Sequence, residues 1–217
     1  MPKETFHNLP EEKKSQFINT ALEEFAGNNF DTASITRIVK NLGIAKGSVY
    51  QYFEDKLDLW LYLKEYCEGV KMSYVRSVSR RDYDSFWSYY RAMFRHGINF
   101  DLEQPRCSLF LYRVGFKESS RQVREYLDSW KKKANEAFMP WIEHEKKTGA
   151  FDPSVSTETI AHFLVTMSIS IAELLQSRYK VDFDENIREG KPLFAADEEA
   201  LMQAVDELIY LFEKSLK

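Results

Sequence analysis

An all-α fold is what this 217-residue sequence predicts, and three observations carry that prediction. Apolar residues recur with the period of a helix nearly from end to end, and no stretch alternates with the period of two that a half-buried strand requires. Six prolines and eight glycines are few for this length, which argues against disorder, collagen and loop-rich sandwiches. The first three helices make a small bundle of their own, with a boundary along the long fourth helix, so a small domain over residues 1–56 and a larger one over 57–217 are expected.

The first helix opens near Pro10-Glu11-Glu12, where proline suits a first turn and the acids suit the positive end of the helix dipole. Its apolar stripe is Phe17, Ile18, Ala21, Leu22 and Phe25, and Gly27 ends it. A short second helix follows, N-capped by Ser34, with Ile35, Ile38, Val39 and Leu42 inward and Gly43 as its break. The third spans roughly Lys46 to Phe53, and Asp55 caps a long fourth one that runs to about Val78. Further helices are expected over 84–96, 106–115, 120–147, 155–179 and 197–216, with a kink at Pro140. Arg80-Arg81-Asp82 and Gly149 to Pro153 read as connections, Val181 to Leu193 as a charged loop, and the residues before Pro10 as an unperiodic tail.

Composition narrows the class of protein. Cys67 and Cys107 are too few for a disulfide framework and lack metal-ligand spacing, so a reducing, cytoplasmic setting is expected. The N-terminus has no apolar core of the kind a signal peptide needs. The longest uncharged stretch, Thr159 to Ala172, is 14 residues and includes His162, which is too short to span a bilayer. Net charge is −4, and residues 1–60 carry 7 basic against 9 acidic side chains, so a nucleic-acid interface must rest on motif and geometry rather than on bulk charge. Charge is nonetheless uneven. Residues 32–56 stand at +2, from Arg37, Lys40, Lys46 and Lys56 against Glu54 and Asp55, whereas residues 181–217 stand at −6.

Helices as short as the second and third cannot stand alone, so residues 34–53 make sense packed on the first helix. Val49 and Phe53 then share the inward side of the third helix. Gly47, Ser48 and Gln51 point outward, flanked by Lys46, Tyr50 and Tyr52. Small and hydrogen-bonding groups at the tip, with longer polar groups on the shoulders, suit entry into a DNA major groove. Gly47 would let the backbone come close. Thr36 and Arg37 on the second helix, and Lys56 at the start of the fourth, could reach phosphates.

Phe30-Asp31-Thr32-Ala33-Ser34-Ile35-Thr36-Arg37-Ile38-Val39, then Gly43-Ile44-Ala45-Lys46-Gly47-Ser48-Val49-Tyr50-Gln51-Tyr52-Phe53 and Asp55-Lys56, resembles the N-terminal signature of TetR/AcrR-type transcriptional repressors. The resemblance implies an N-terminal helix-turn-helix DNA-binding domain and a C-terminal helical ligand-binding and dimerisation domain. It implies a homodimer on a palindromic operator, released by a small-molecule inducer. By the same resemblance Ser34 opens the second helix with a phosphate contact, and Lys46, Ser48 and Gln51 read bases. Tyr50 bonds a phosphate, Tyr52 takes the second aromatic place, and Lys56 is the lysine at the next helix start. Ala45 departs from the pattern, which has Ser or Thr there, and so removes a side-chain cap worth about 1 kcal/mol.

Ile160, Phe163, Leu164, Met167, Ile171 and Leu174 form one stripe, and Ala161, Val165, Ile169 and Ala172 a second, offset face. Leu201, Val205, Leu208 and Phe212 line the last helix. Such faces suit a four-helix interface between two copies, which these helices form in the family resembled; the alternative is that they finish the core of one chain. Aromatic residues are dense between 84 and 141. Trp87, Tyr90, Phe94, Tyr112, Phe116 and Trp130 lie on helices that line the family's cavity and would suit an apolar or aromatic inducer, although such stripes also build plain cores. No catalytic constellation, metal-binding motif or cofactor loop is present in the sequence. The one Glu-x-x-His, Glu4 to His7, lies in the tail, while His96, His144 and His162 are scattered. A helical ligand-binding or protein-interaction module that no longer reads DNA remains the alternative.

Overall fold

A computed structural model describes residues 1–194 and 196–216; within that range the side chains of Lys131, Ala134, Asn135, Ala137, Ile169, Asp184, Ile187 and Arg188 are not described. Ile169 of the second apolar face therefore lies outside the described residues. The described residues form helices and no strand.

The N-terminal part holds α1 (Glu4–His7), α2 (Glu11–Gly27), α3 (Ile35–Leu42), α4 (Lys46–Tyr52) and α5 (Lys56–Arg76). The supposed tail is thus a helix, and Phe6 is the reason, being 0% exposed. α3 begins as expected, with the Ser34 hydroxyl accepting from the Arg37 amide, and ends at Gly43 in the left-handed region, φ 66°. Only glycine takes that conformation without a Cβ penalty. α4 begins at Lys46 even though Ala45 offers no side-chain cap. The Asp55 carboxylate accepts from the Asp58 amide at 2.8 Å and caps α5.

Beyond these lie a 3₁₀ turn (Arg80–Asp82), α6 (Phe86–Glu103), α7 (Pro105–Tyr112), a π-helical turn (Arg113–Lys117), α8 (Arg121–Lys147), α9 (Thr157–Tyr179), α10 (Phe183–Glu189) and α11 (Glu198–Leu216). Two expectations are corrected here. The charged loop at 181–193 contains α10, where buried Asn186 holds the turn by donating to the carbonyls of Pro192 and Leu193 at 3.2 and 3.0 Å. The stretch judged too short to span a bilayer sits inside a 23-residue helix, α9, that extends past it at both ends. By length and composition alone that helix could cross a membrane, and only 29% of its apolar window is buried within the chain.

The chain divides into two compact units. One comprises Met1–Met72, Asp101–Glu125 and Asp184–Leu193; the other comprises Ser73–Phe100, Tyr126–Phe183 and Phe194–Lys217. In the first, α2 supplies Phe17, Ile18, Ala21, Leu22 and Phe25 to a core shared with Ile38, Val39, Val49, Phe53, Leu59 and Trp60, all buried. Burying each such side chain contributes roughly 1.5–3 kcal/mol. Cys67 and Cys107 are both buried and reduced, with their thiols hydrogen-bonded to each other, and burial pushes the Cys67 thiol well up. In the second unit Phe86 packs against Tyr90 at 5.5 Å, Trp141 at 6.0 Å and Phe151 at 4.8 Å. There the guanidinium of Arg80 meets the buried Glu145 carboxylate at 2.7 and 3.1 Å, which offsets much of the cost of burying that charge.

Candidate nucleic-acid interface

α4 presents one side to the core and the other to solvent. Val49 and Phe53 are buried, at 1% and 0% exposed, while Lys46, Gly47, Tyr50 and Gln51 are exposed and Ser48 is half-buried. This is the orientation expected from the wheel. Nothing lies within 4 Å of a Cβ built on Gly47, so no internal packing demands glycine there. Tyr52 differs from its expected place on a shoulder. Its ring lies 5.7 Å from Phe17 and 5.8 Å from Phe6, so it helps anchor the helix.

Around α4 the expected phosphate contacts divide into exposed groups and groups with internal partners. Thr36 is exposed on α3. Arg37 is exposed but is held against α2 by an ion pair with Glu24. Its Nε lies 3.0 Å from both carboxylate oxygens of Glu24, and its Nη2 donates to the Thr32 carbonyl at 2.8 Å. Hydrogen bonding to Glu24 raises the Arg37 pKa further above its ordinary value. Glu24 also accepts from the Ser34 amide at 2.8 Å, so one carboxylate fixes both the entry and the first turn of α3. Ser34 spends its hydroxyl on the cap.

Lys56 is half-buried and turned onto the loop before α3. Its Nζ donates to the carbonyls of Phe30 at 2.7 Å, Ala33 at 3.2 Å and Asp31 at 3.4 Å, and lies 4.5 Å from the centre of the Phe30 ring. The loop before α3 carries carbonyls that no helix satisfies, and a single ammonium with three donors meets them. Residues 113–120 hold the same loop from another direction. Glu118 accepts from the Phe30 amide at 2.9 Å, Arg113 donates to the Asn29 side chain at 2.9 Å, and Ser120 donates to Asp31 at 2.7 Å. These contacts were not legible in the sequence, because they join residues some 84 to 89 positions apart.

The other expected sites are placed as follows. Trp87 and Tyr90 are buried in the second unit, where Tyr90 and half-buried Phe94 meet edge to face at 4.9 Å. The Tyr90 hydroxyl is 2.5 Å from that of Ser168, and burial pushes its pKa up to about 12. The Trp87 indole nitrogen is buried with no hydrogen-bond partner among the described residues. Tyr112 and Phe116 stack at 4.8 Å in the first unit, and Trp130 is 42% exposed. Of the stripes assigned to an interface, Ile160, Leu164, Ile171, Leu201, Val205 and Phe212 are buried within the chain and serve its own core. Phe163, Met167, Leu174 and Leu208 are only half-buried, and Leu211, left outside that assignment, is 58% exposed.

Known proteins share this arrangement. A family model described as bacterial regulatory proteins, tetR family, matches residues 17–63. The chain is similar to a TetR family transcriptional regulator from Chloroflexus aurantiacus J-10-FL, with 31% identity and a TM-score of 0.80 over 100% of this chain and 98% of that one. The fold is also that of the transcriptional regulator FadR from Bacillus subtilis, solved in complex with stearoyl-CoA, at 15% identity and a TM-score of 0.60 over 88% of this chain and 98% of that one. A fatty acid metabolism regulator protein of Bacillus subtilis (strain 168) is 35% identical over 51 residues, 24% of this chain and 26% of that protein. The curated relatives are matched over only about a quarter of their length, 23% and 26%. Members of this family are transcriptional regulators, not enzymes. With the whole of its length shared with a solved member, and a helix-turn-helix built as its signature requires, the chain belongs to the TetR family of transcriptional regulators.

Proposed function

We propose that this protein is a cytoplasmic, ligand-responsive repressor that binds a palindromic operator as a homodimer and is released by a small apolar or aromatic inducer. The observation that carries the reading is the outward face of α4: Lys46, Gly47, Tyr50 and Gln51 are exposed on a helix pinned from behind by Val49 and Phe53. One seven-residue helix offers too few base contacts for specificity, which favours two copies on two half-sites. In this reading residues 1–56 contact DNA and residues 57–217 carry the ligand site and the interface. Gln51 and Ser48 read base edges, Gly47 admits the backbone, and Lys46, Tyr50 and Thr36 meet phosphate. Ser34, Arg37, Tyr52 and Lys56 hold that surface in place.

The second copy would cover the half-buried stripe Phe163, Met167 and Leu174 on α9, with Leu208 and Leu211 on α11. That gives α9 a reason for its apolarity other than a bilayer. The inducer would be met by Trp87, Tyr90 and Phe94. The buried Trp87 indole N–H, without a partner among the described residues, suits a ligand carbonyl or carboxylate. The stearoyl-CoA in FadR makes long acyl groups the first class to try.

Selection of random duplex DNA by the purified protein tests the reading. Recovery of a palindrome with two half-sites, and an affinity that falls steeply with added salt, are the expected results. No enrichment at low salt, repeated after unfolding and refolding to strip any carried ligand, would overturn it.

A further inference from the structure

The last four carbonyls of any helix lack a partner within it. In α4 they belong to Val49, Tyr50, Gln51 and Tyr52, and all four are met. Val49 accepts from the Phe53 amide at 2.8 Å, within the chain's own turn. The other three are met from one place. The Lys3 ammonium donates to the Tyr50 carbonyl at 2.9 Å, the Thr5 hydroxyl donates to the Gln51 carbonyl, and the Lys3 backbone amide donates to the Tyr52 carbonyl at 2.7 Å. The Lys3 charge also faces the negative end of the α4 dipole. Behind these bonds Phe6 is fully buried, its ring 4.9 Å from Phe53, 5.6 Å from Phe17, 5.8 Å from Tyr52 and 5.4 Å from Tyr62.

We infer that residues Lys3 to Phe6 are a positioning element for the DNA-reading helix. They clamp the C-terminal turn of α4 and so hold Tyr50 and Gln51 in one geometry. The inference rests on the proposed reading of DNA by α4. The segment lies outside residues 17–63, which carry the family match. Its physical basis is length: a helix of seven residues is far below the roughly 12–15 at which isolated helices become marginally stable, so both its ends depend on outside partners. At its N-terminus Ala45 supplies no side-chain cap, which leaves the Lys3–Thr5 side as the better-secured end.

Thr5 separates this role from simple stability, because Thr5→Val keeps the shape and removes only the donor, whereas Thr5→Ser keeps the donor. In the full chain, Thr5→Val is expected to speed amide exchange at residues 50–53 by about fivefold, the factor one net hydrogen bond supplies. Exchange in the cores of α2 and α5 should be unchanged. On the selected duplex, Thr5→Val is expected to weaken binding by a similar factor and to relax base preference at the Gln51 position. Thr5→Ser should restore both. Native exchange at 50–53 in Thr5→Val would overturn the clamp. Faster exchange with affinity and base preference intact would overturn the positioning role. If the wild type retains no duplex at all, the DNA reading has failed, and the exchange comparison still decides the clamp.

Discussion

Gly47 separates folding from recognition, because the two make opposite demands on it. Glycine inside a helix costs roughly 0.5–1 kcal/mol relative to alanine, and a Cβ built here meets nothing within 4 Å. Gly47→Ala is therefore expected to raise stability by about that amount in thermal unfolding, while weakening duplex binding measured by titration. Equal or better binding by the alanine variant would mean that no backbone approach occurs at this position. Lys56 shows where residue-level inference from sequence fails. A lysine at a helix start beside a DNA-reading motif suggests a phosphate contact, but its ammonium serves three carbonyls of the preceding loop. Lys56→Ala should thus cost about 1 kcal/mol in urea unfolding, since the acceptors it leaves are part-buried or exposed, and should affect DNA through the fold. Gln51 faces solvent as the wheel required, since periodicity of 3.6 residues fixes direction once the buried side is known. Gln51→Ala should relax base preference at one position per half-site, whereas Tyr50→Phe should weaken all sequences about equally.

Among the elements, α3 and α4 were legible almost to the residue. Ser34 caps α3, Gly43 breaks it and Asp55 caps α5, so local composition sufficed for those boundaries. α1 and α10 were not legible. Four residues are too few to display a period, and α1 exists because Phe6 enters a cluster of rings supplied from α2, α4 and α5. α10 carries the composition of a loop, and its closure depends on the Asn186 side chain bonding two carbonyls six and seven residues on. The N-terminal end of α4 is the element-scale weakness. Ala45 sits at the N-cap with extended angles, φ −69° and ψ 143°, which serine adopts without strain. Ala45→Ser should stabilise the chain by about 0.5–1 kcal/mol, seen as a higher urea midpoint at unchanged slope. A lower midpoint would show that the residue is held at alanine by packing.

At the scale of the molecule, burial divides the apolar stripes of α9 and α11 into two sets that periodicity alone merges. Period fixes which residues share a face but not how much of that face the chain's own helices cover. Leu201 and Val205 are 0% exposed, whereas Leu211 is 58% exposed and Leu208 half-buried beside it. The two sets predict opposite outcomes for the same change. A buried carboxylate without a partner is among the costliest substitutions a core can receive, so Val205→Glu should abolish cooperative unfolding. Leu211→Glu places its charge in water in the single chain, and its near-ultraviolet spectrum should stay native. If α9 and α11 meet their counterparts across a two-fold axis, that charge faces its own copy, and the protein should sediment as one chain of 25.6 kDa instead of two. Binding to a palindrome should then fall by roughly 100-fold or more, because the second half-site is no longer delivered by the first. A Leu211→Glu protein that still sediments as a pair with operator affinity intact would place the interface elsewhere on the surface.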